Sequence, residues 1–519
     1  MSAPVPEAAG GGRRRRRRGR EEAGSAAPAR QVDYRNLRNP FPPMSVFSDD
    51  EAEDMHRTAL RMLEELGMKV LLPEARRLFA EAGARVEDEM VYLGREIVEA
   101  ALATAPRSFR CHGGVPDRDV TMEPGALVFM PGSGAPHATD LRRGRRPGTG
   151  RDFHEYVRLT QHLDALHTQS TLTEPQDVPN QVRHLFMTRT QLEQSDKLPC
   201  LYARGTPQSR DSFEMIRLAR GLSEDAFQDG VHCFTIINTN SPRTLDIPMA
   251  QGLIDFARAG QMSIVTPFTL MGAMAPITVA GAITLSHAEC LAAIALTQLA
   301  RPGAPVCYGT FTSNVDMRSG APALGTPTHF QASLAAGQLA RKLDLPWRSA
   351  AGSASNLGDV QAASENQMGL WGCLLAGATV ILHSGGWLEG GLTVSWEKLI
   401  TDAEVLSMVA ELCLGRKAGT DEIGFDTALS QVAPSGHFFA TPQTMERYAT
   451  EFYEPMVHDY ANFGTWTERG AADATQRATA VWEAILARPE GGFGDPDRMA
   501  EMAAFAARRE AEGGAMPES

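Results

Sequence analysis

Five short stretches between Asn238 and Trp387 collect the residues that could do chemistry, each just after a run rich in β-branched residues. They are Asn238-Thr239-Asn240-Ser241, Met271-Gly272-Ala273, Phe311-Thr312-Ser313-Asn314, Gly352-Ser353-Ala354-Ser355-Asn356 and His383-Ser384-Gly385-Gly386-Trp387. Their members are small, polar or aromatic. General acid–base catalysis needs two carboxylates or a His/carboxylate pair in reach of each other, and only Asp359, Glu365, Glu389 and His383 are nominees. No G-x-S-x-G nucleophile elbow stands at these positions. The thirteen histidines show no H-x-x-H or H-x-x-x-H spacing, so no metal is indicated.

Aromatic residues are the second signal. Tyr308, Phe311, Trp347, Trp371, Trp387 and Trp396 fall in one region, and five of these six flank predicted strand ends or the loops after them. Ring faces attract a quaternary ammonium by roughly 0.5 to 2 kcal/mol each when desolvated. Trp371 and Trp396 read as helix packing. Tyr308, Phe311, Trp347 and Trp387 are candidates for a cation cage, with ordinary packing as the alternative. Arg318 and Arg348 are cations near the same loops and could clamp a carboxylate in bidentate fashion, or pair with Asp316 or Asp359 instead.

The elements that must position these residues alternate regularly. Strands are predicted near 166–172, 199–203, 232–238, 263–270, 305–310, 346–350 and 379–383, and helices over 182–193, 211–220, 247–259, 279–300, 327–343, 361–376 and 398–413. A repeat of ~30 to 40 residues suits right-handed βαβ crossovers and a parallel sheet. The expected fold is therefore α/β, a TIM (β/α)8 barrel whose strand-exit loops converge on one mouth. A doubly wound open sheet shows the same rhythm, but no G-x-G-x-x-G or P-loop motif follows a strand. The eighth strand is expected near Glu422 to Phe439.

Residues 1–48 read as a disordered Arg/Pro-rich tail. Residues 49–151 read as accessory helices, opening at Ser48-Asp49-Asp50-Glu51, Pro73 and Gly94-Arg95, and a hairpin joining Leu127–Met130 to a run at 138–141. The barrel is assigned to 152–440 and a C-terminal helical extension to 441–519. In that extension Tyr448, Phe452, Tyr453, Tyr460, Phe463 and Trp466 are expected to pack onto the barrel.

Bulk composition narrows the class. No run approaches the ~18 apolar residues of a membrane span. Of the net charge of −13, residues 1–30 hold a local +5, because eight arginines face three glutamates, so the rest of the chain is acidic. An acidic body argues against a nucleic-acid partner. The tract Arg13 to Arg18 is followed by Glu21-Glu22 rather than an apolar stretch, so it opens no secretion signal. Seven scattered cysteines without a C-x-x-C pair suit reduced thiols. A cytoplasmic protein that forms a homo-oligomer is expected.

Four segments carry a family resemblance. They are Gly272-Ala273-Met274-Ala275-Pro276-Ile277-Thr278-Val279-Ala280-Gly281, Gln298-Leu299-Ala300-Arg301-Pro302-Gly303-Ala304-Pro305-Val306, Leu375-Ala376-Gly377-Ala378 and Pro434-Ser435-Gly436-His437-Phe438. With them the chain resembles the trimethylamine methyltransferase family from about Asn36 to its tail helices. The resemblance implies a TIM barrel that moves a methyl group from a methylated amine to the cobalt of a corrinoid (cobalamin) carried by a separate partner protein. A nucleophile brought by the partner would explain the sparse acid–base inventory. Archaeal members carry pyrrolysine in the barrel, and the corresponding position here is Asn356. Members without it resemble demethylases of glycine betaine and related quaternary amines.

The candidate catalytic residues are Asn356, which the resemblance points to, with Glu365 and His383 from the strand-exit loops. Tyr308, Phe311, Arg318, Trp347, Arg348 and Trp387 are the candidates for binding the amine, with Arg318, Arg348 and His383 available to a carboxylate. Two other readings stay open: a barrel lyase or hydrolase using Glu365 or Asp359 as base, and a quaternary-amine binding protein without turnover.

Overall fold

The computed structural model describes residues 32–518. The arginine tract at 13–18 lies outside the described residues. The chain divides into two units: a large one, Asp33–Arg416 with Glu454–Ser519, and a small one built on Lys417–Tyr453.

The large unit is a mixed α/β structure around a seven-stranded sheet. In chain order its strands are β1 (Leu37–Arg38), β2 (Ala126–Phe129), β3 (Phe234–Ile237), β4 (Met262–Val265), β5 (Val306–Gly309), β6 (Trp347–Ala350) and β7 (Val380–Leu382). They lie side by side in the order β1-β2-β7-β6-β5-β4-β3. All neighbours are parallel except β1, which runs antiparallel to β2.

Two further extended segments continue the ladder beyond β3. Cys200 bridges Phe234 in parallel and Leu198 bridges Thr168 in parallel. Leu201 N–H donates to Phe234 O at 2.8 Å, Gln169 N–H to Leu198 O at 3.0 Å, and His167 N–H to Phe129 O on β2 at 2.9 Å. Hydrogen bonds thus run from β2 through every parallel segment and return to β2.

The strands are buried on both faces, as parallel strands covered by helices must be. One face packs Val128, Met130, Phe234, Ile264, Cys307 and Leu382 together. The other meets the helices, which lie at Asn180–Gln194, Thr206–Arg220, Ile247–Arg258, Val279–Ala300, Pro327–Leu343, Val360–Leu375 and Trp396–Cys413, close to the predicted spans. Helix Val279–Ala300 is long and apolar enough to cross a membrane, yet it is largely buried inside the protein. A helix apolar on every side is one with neighbours on every side. Helix Asp49–Arg61, which opens at Ser48 as expected and carries a Ser48/Glu51 capping box, lies against it, and His56 Nδ1 meets His287 Nε2 at 2.8 Å.

Several expectations are corrected. No hairpin forms from Leu127–Met130: that run is β2, paired with β7 and β1, while His137–Thr139 pairs with Thr393–Ser395. β2 therefore supplies the parallel segment that was sought at 422–439. That later stretch instead holds the short helix Thr420–Ile423 and a turn at Leu429–Gln431. Residues 33–48 are not a loose tail, because Leu37 pairs with Leu127, Met44 N–H donates to Leu375 O, and Gln338 Oε1 receives the N–H groups of Val46 and Phe47. Apolar packing adds to this pairing, since Leu37 is buried in the core and Phe41 meets the Trp371 ring at 5.5 Å. Tyr448, Phe452, Tyr460 and Phe463 are exposed rather than packed.

In the large unit, helices Ala474–Leu486 and Pro496–Ala511 do dock. Trp482 Nε1 and Thr479 Oγ1 both donate to Glu397 Oε1, and Arg509 pairs with Asp211 at 2.8 Å.

Candidate functional site

A cavity of about 460 Å³ opens where the parallel segments end, walled by residues that lie in or just after them. Its aromatic wall is set by strand register. Two short parallel strands, Phe268–Met271 and Phe311–Val315, run on just after β4 and β5 and place Phe268 beside Phe311, with ring centroids 4.9 Å apart. Phe311 lies 5.7 Å from Trp387. Trp387 stacks on His383 at 3.7 Å and 6°, and its Nε1 donates to Ser133 O at 3.2 Å.

The indole sits in a slot that only glycine leaves open. A Cβ at Gly352 or Gly391 would fall 2.6 or 2.3 Å from its ring atoms, and both residues have φ above +100°. His383 itself has φ +57°. Its Nδ1 accepts the Ser133 N–H at 3.2 Å. Burial, with the Arg348 charge second, holds its pKa well below the ordinary value. A neutral ring with its proton on Nε2 is the consequence.

Arg348 is the fully buried cation of the cavity. β6 alternates its side chains as a strand must, so Trp347 turns to the helices, where Nε1 donates to Gly377 O at 2.8 Å, and Arg348 turns into the cavity. Arg348 is 1% exposed, its Cζ is 5.4 Å from the Phe311 centroid, and Nη1 reaches Thr310 O only at 3.4 Å. Nε has no partner, and among the described residues no carboxylate pairs with it. Burial lowers its pKa to about 9, which leaves it charged at neutral pH. A buried guanidinium without a counter-ion is expensive, and an anion placed in the cavity would offset that cost.

The remaining candidates are placed elsewhere. Tyr308 faces away from the cavity, its hydroxyl 2.9 Å from His287 Nδ1. Arg318 is exposed on the Asp316–Ser319 turn. Asn356 is exposed on the loop after β6 and does not line the cavity. Glu365 anchors that loop, accepting from Ser353 Oγ at 2.7 Å and from the Ala354 and Ser355 N–H groups at 2.9 and 3.0 Å. Asp359 caps helix Val360–Leu375. Neither carboxylate lines the cavity.

Phe268, Tyr202, Arg204 and Asp246, which do line it, escaped the sequence reading. Tyr202 lies within and Arg204 just after the stretch 199–203 expected as a strand, which forms an extended segment bridged to β3 at Cys200, and reading every strand exit rather than the later ones would have found Arg204.

The cavity holds no obvious internal nucleophile or base. Burial pushes the Cys200 thiol up to about 12, so it stays protonated. Asp246 spends its carboxylate capping helix Ile247–Arg258 through Met249 N–H and accepting from Asn240 Nδ2.

The sequence profile described as trimethylamine methyltransferase matches residues 12–514. The chain belongs to the trimethylamine methyltransferase family. It is 34% identical to the glycine betaine methyltransferase of Desulfitobacterium hafniense strain Y51 over 476 residues, 91% of this chain and 99% of that one. To the trimethylamine methyltransferase of Methanosarcina barkeri it is 27% identical over 457 residues, 85% of this chain and 90% of the other. The solved monomethylamine methyltransferase of Methanosarcina barkeri aligns over 92% of this chain and 96% of its own at 9% identity and a TM-score of 0.42. The protein is thus a methyltransferase.

Proposed function

We propose that the protein demethylates a quaternary amine bearing a carboxylate, with glycine betaine the compact member of that class, and passes the methyl group to a corrinoid on a partner protein. The observation that carries this is Arg348, a buried cation without a counter-ion facing a cavity walled by Phe268, Phe311 and Trp387. The carboxylate would pair with the guanidinium, a charge-assisted contact, while the trimethylammonium lies against the rings. The likeness to a glycine betaine methyltransferase points to the same class.

The residues fit an external methyl acceptor. Cys200 is held protonated and Asp246 is engaged as a cap, so neither competes as nucleophile. A reduced corrinoid, when bound at the mouth, supplies the nucleophilic metal. The N–CH3 bond breaks with its electron pair staying on nitrogen, so the leaving group is a neutral tertiary amine and needs no proton. Arg348 and the rings orient the methyl carbon toward the mouth, which is the whole demand on this chain. The neutral His383 avoids adding a second positive charge beside the ammonium. We also read the parallel segments from β2 to β7 as a closed (β/α)8 barrel, on the strength of the His167–Phe129 bond, and place the protein in the cytoplasm, as its seven free cysteines suit.

Incubation with glycine betaine and reduced cobalamin should yield dimethylglycine, detected by mass spectrometry. No demethylated product from glycine betaine or any other trimethylammonium carboxylate would remove the proposal.

A further inference from the structure

The cavity does not end at its aromatic wall. Tyr202 and Arg204 line it on one side and on their other side line a second, polar chamber of about 300 Å³ with Glu174, Arg183, His184 and Gln208. The two spaces share that single partition. Together they far exceed a betaine with a one-carbon spacer, which has eight non-hydrogen atoms, when a water takes ~30 Å³ of liquid volume.

The charges of the partition are uneven. Glu174 is paired with Arg183, and His184 Nε2 is held by Asp211 Oδ2 at 3.0 Å. Among the described residues, Arg204 pairs with no carboxylate. Its backbone is fixed from both sides, since its N–H donates to Gln208 Oε1 at 3.0 Å and its carbonyl accepts the Glu518 N–H at 3.1 Å. Pro517 of the same terminal segment lines the chamber, and Ala515 is tied to Gln181 and Gln208. The guanidinium is thus a cation on an anchored stem at the junction of two spaces.

We infer that Arg204 and the chamber behind it form a distal subsite for the carboxylate of trimethylammonium carboxylates with a spacer longer than one carbon, and that the protein prefers these to the compact member. The inference rests on the cavity being a site for quaternary-ammonium carboxylates. With the ammonium held at Phe311 and Trp387, a short substrate has Arg348 beside it, 5.4 Å from the Phe311 centroid. A longer one can carry its carboxylate past Tyr202 to Arg204. The wall joins residues distant in sequence, Arg204 and Pro517, and a subsite for a charged group gains most when its cation is preorganised.

The test is titration calorimetry on the full chain with trimethylammonium carboxylates of one, two, three and four spacer carbons. The expected result is an affinity at least tenfold higher at three or four carbons than at one. Arg204→Gln should cut that ratio at least tenfold, and Arg204→Lys, which keeps the charge, should restore part of it; circular dichroism verifies the fold of each variant. Equal or weaker binding of the longer compounds, or an unchanged ratio in Arg204→Gln, overturns the subsite. Methyl transfer to reduced cobalamin is measured in parallel. Length-dependent binding without transfer refutes the methyl-transfer reading and leaves the subsite standing, whereas transfer from glycine betaine alone does the reverse.

Discussion

Arg348 and Phe311 divide the labour of holding a zwitterion, and each can be tested against a ligand lacking the group it serves. Arg348→Gln should weaken glycine betaine binding by about 10- to 150-fold, the equivalent of ~1.5 to 3 kcal/mol for a hydrogen bond to a charged group, and should leave trimethylamine almost unaffected. Titration calorimetry decides, and an equal loss for both ligands would mean that Arg348 only supports the wall. Phe311→Leu removes a ring but keeps an apolar surface. It should cost about 2- to 30-fold for glycine betaine, following the ~0.5 to 2 kcal/mol range for a cation on a ring, and little for 3,3-dimethylbutanoate, in which an uncharged tert-butyl group replaces the ammonium. The two rings beside it, Phe268 at 4.9 Å and Trp387 at 5.7 Å, set how much of the effect survives.

Two of the loops that follow the strands are held by carboxylates placed on helices. Glu365 gathers Ser353 and two backbone N–H groups of the loop after β6. Glu289, buried in helix Val279–Ala300, gathers Thr239 Oγ1 at 2.6 Å, Ser241 Oγ at 2.7 Å and Arg243 N–H at 2.7 Å from the loop after β3. Glu365→Ala should destabilise the protein by ~1 to 3 kcal/mol, since buried donors lose their acceptor, as measured by urea unfolding. Glu365→Gln keeps an acceptor and should cost less. Loss of turnover in Glu365→Gln with substrate binding and stability intact would instead reveal a catalytic base.

At this scale the sequence was largely legible: helix Val279–Ala300 and helix Pro327–Leu343 fall on their predicted bounds, because Thr278 and Thr326 are strong N-caps and the runs between are long. β2 was misread for a physical reason. Its four residues, Ala126–Phe129, are all buried, and so short a run pairs with whatever strand the fold brings near, here β7 from 250 residues later.

Across the whole molecule, buried histidines make stability depend on acidity. Burial lowers the pKa of His167 and His329 from 6.5 to about 4, and lowers those of His287 and His383 well below 6.5. The unfolded chain therefore takes up protons first as the pH falls, so the stabilisation is complete above about 6.5 and is lost below it. At pH 5 each of His167 and His329 should have cost ~2 kcal/mol, from 1.36 kcal/mol per unit. Thermal melts from pH 7.5 to pH 5 should show a falling Tm, less steep in His329→Gln. A flat profile would contradict the burial of these rings.

The sequence by itself determined the periodic alternation of strands and helices, the caps, the family and the acid–base poverty of the strand-exit loops, because these are properties of local residue order. Only the tertiary structure decided which residues meet. Trp347 and Arg348 are adjacent in sequence, yet a strand sends them to opposite faces, one to bond Gly377 and the other into the cavity. Tyr308 went to His287 and Glu365 to its own loop for the same reason: a buried polar atom takes the partner that packing brings within 3 Å, and no spacing along the chain records which partner that will be.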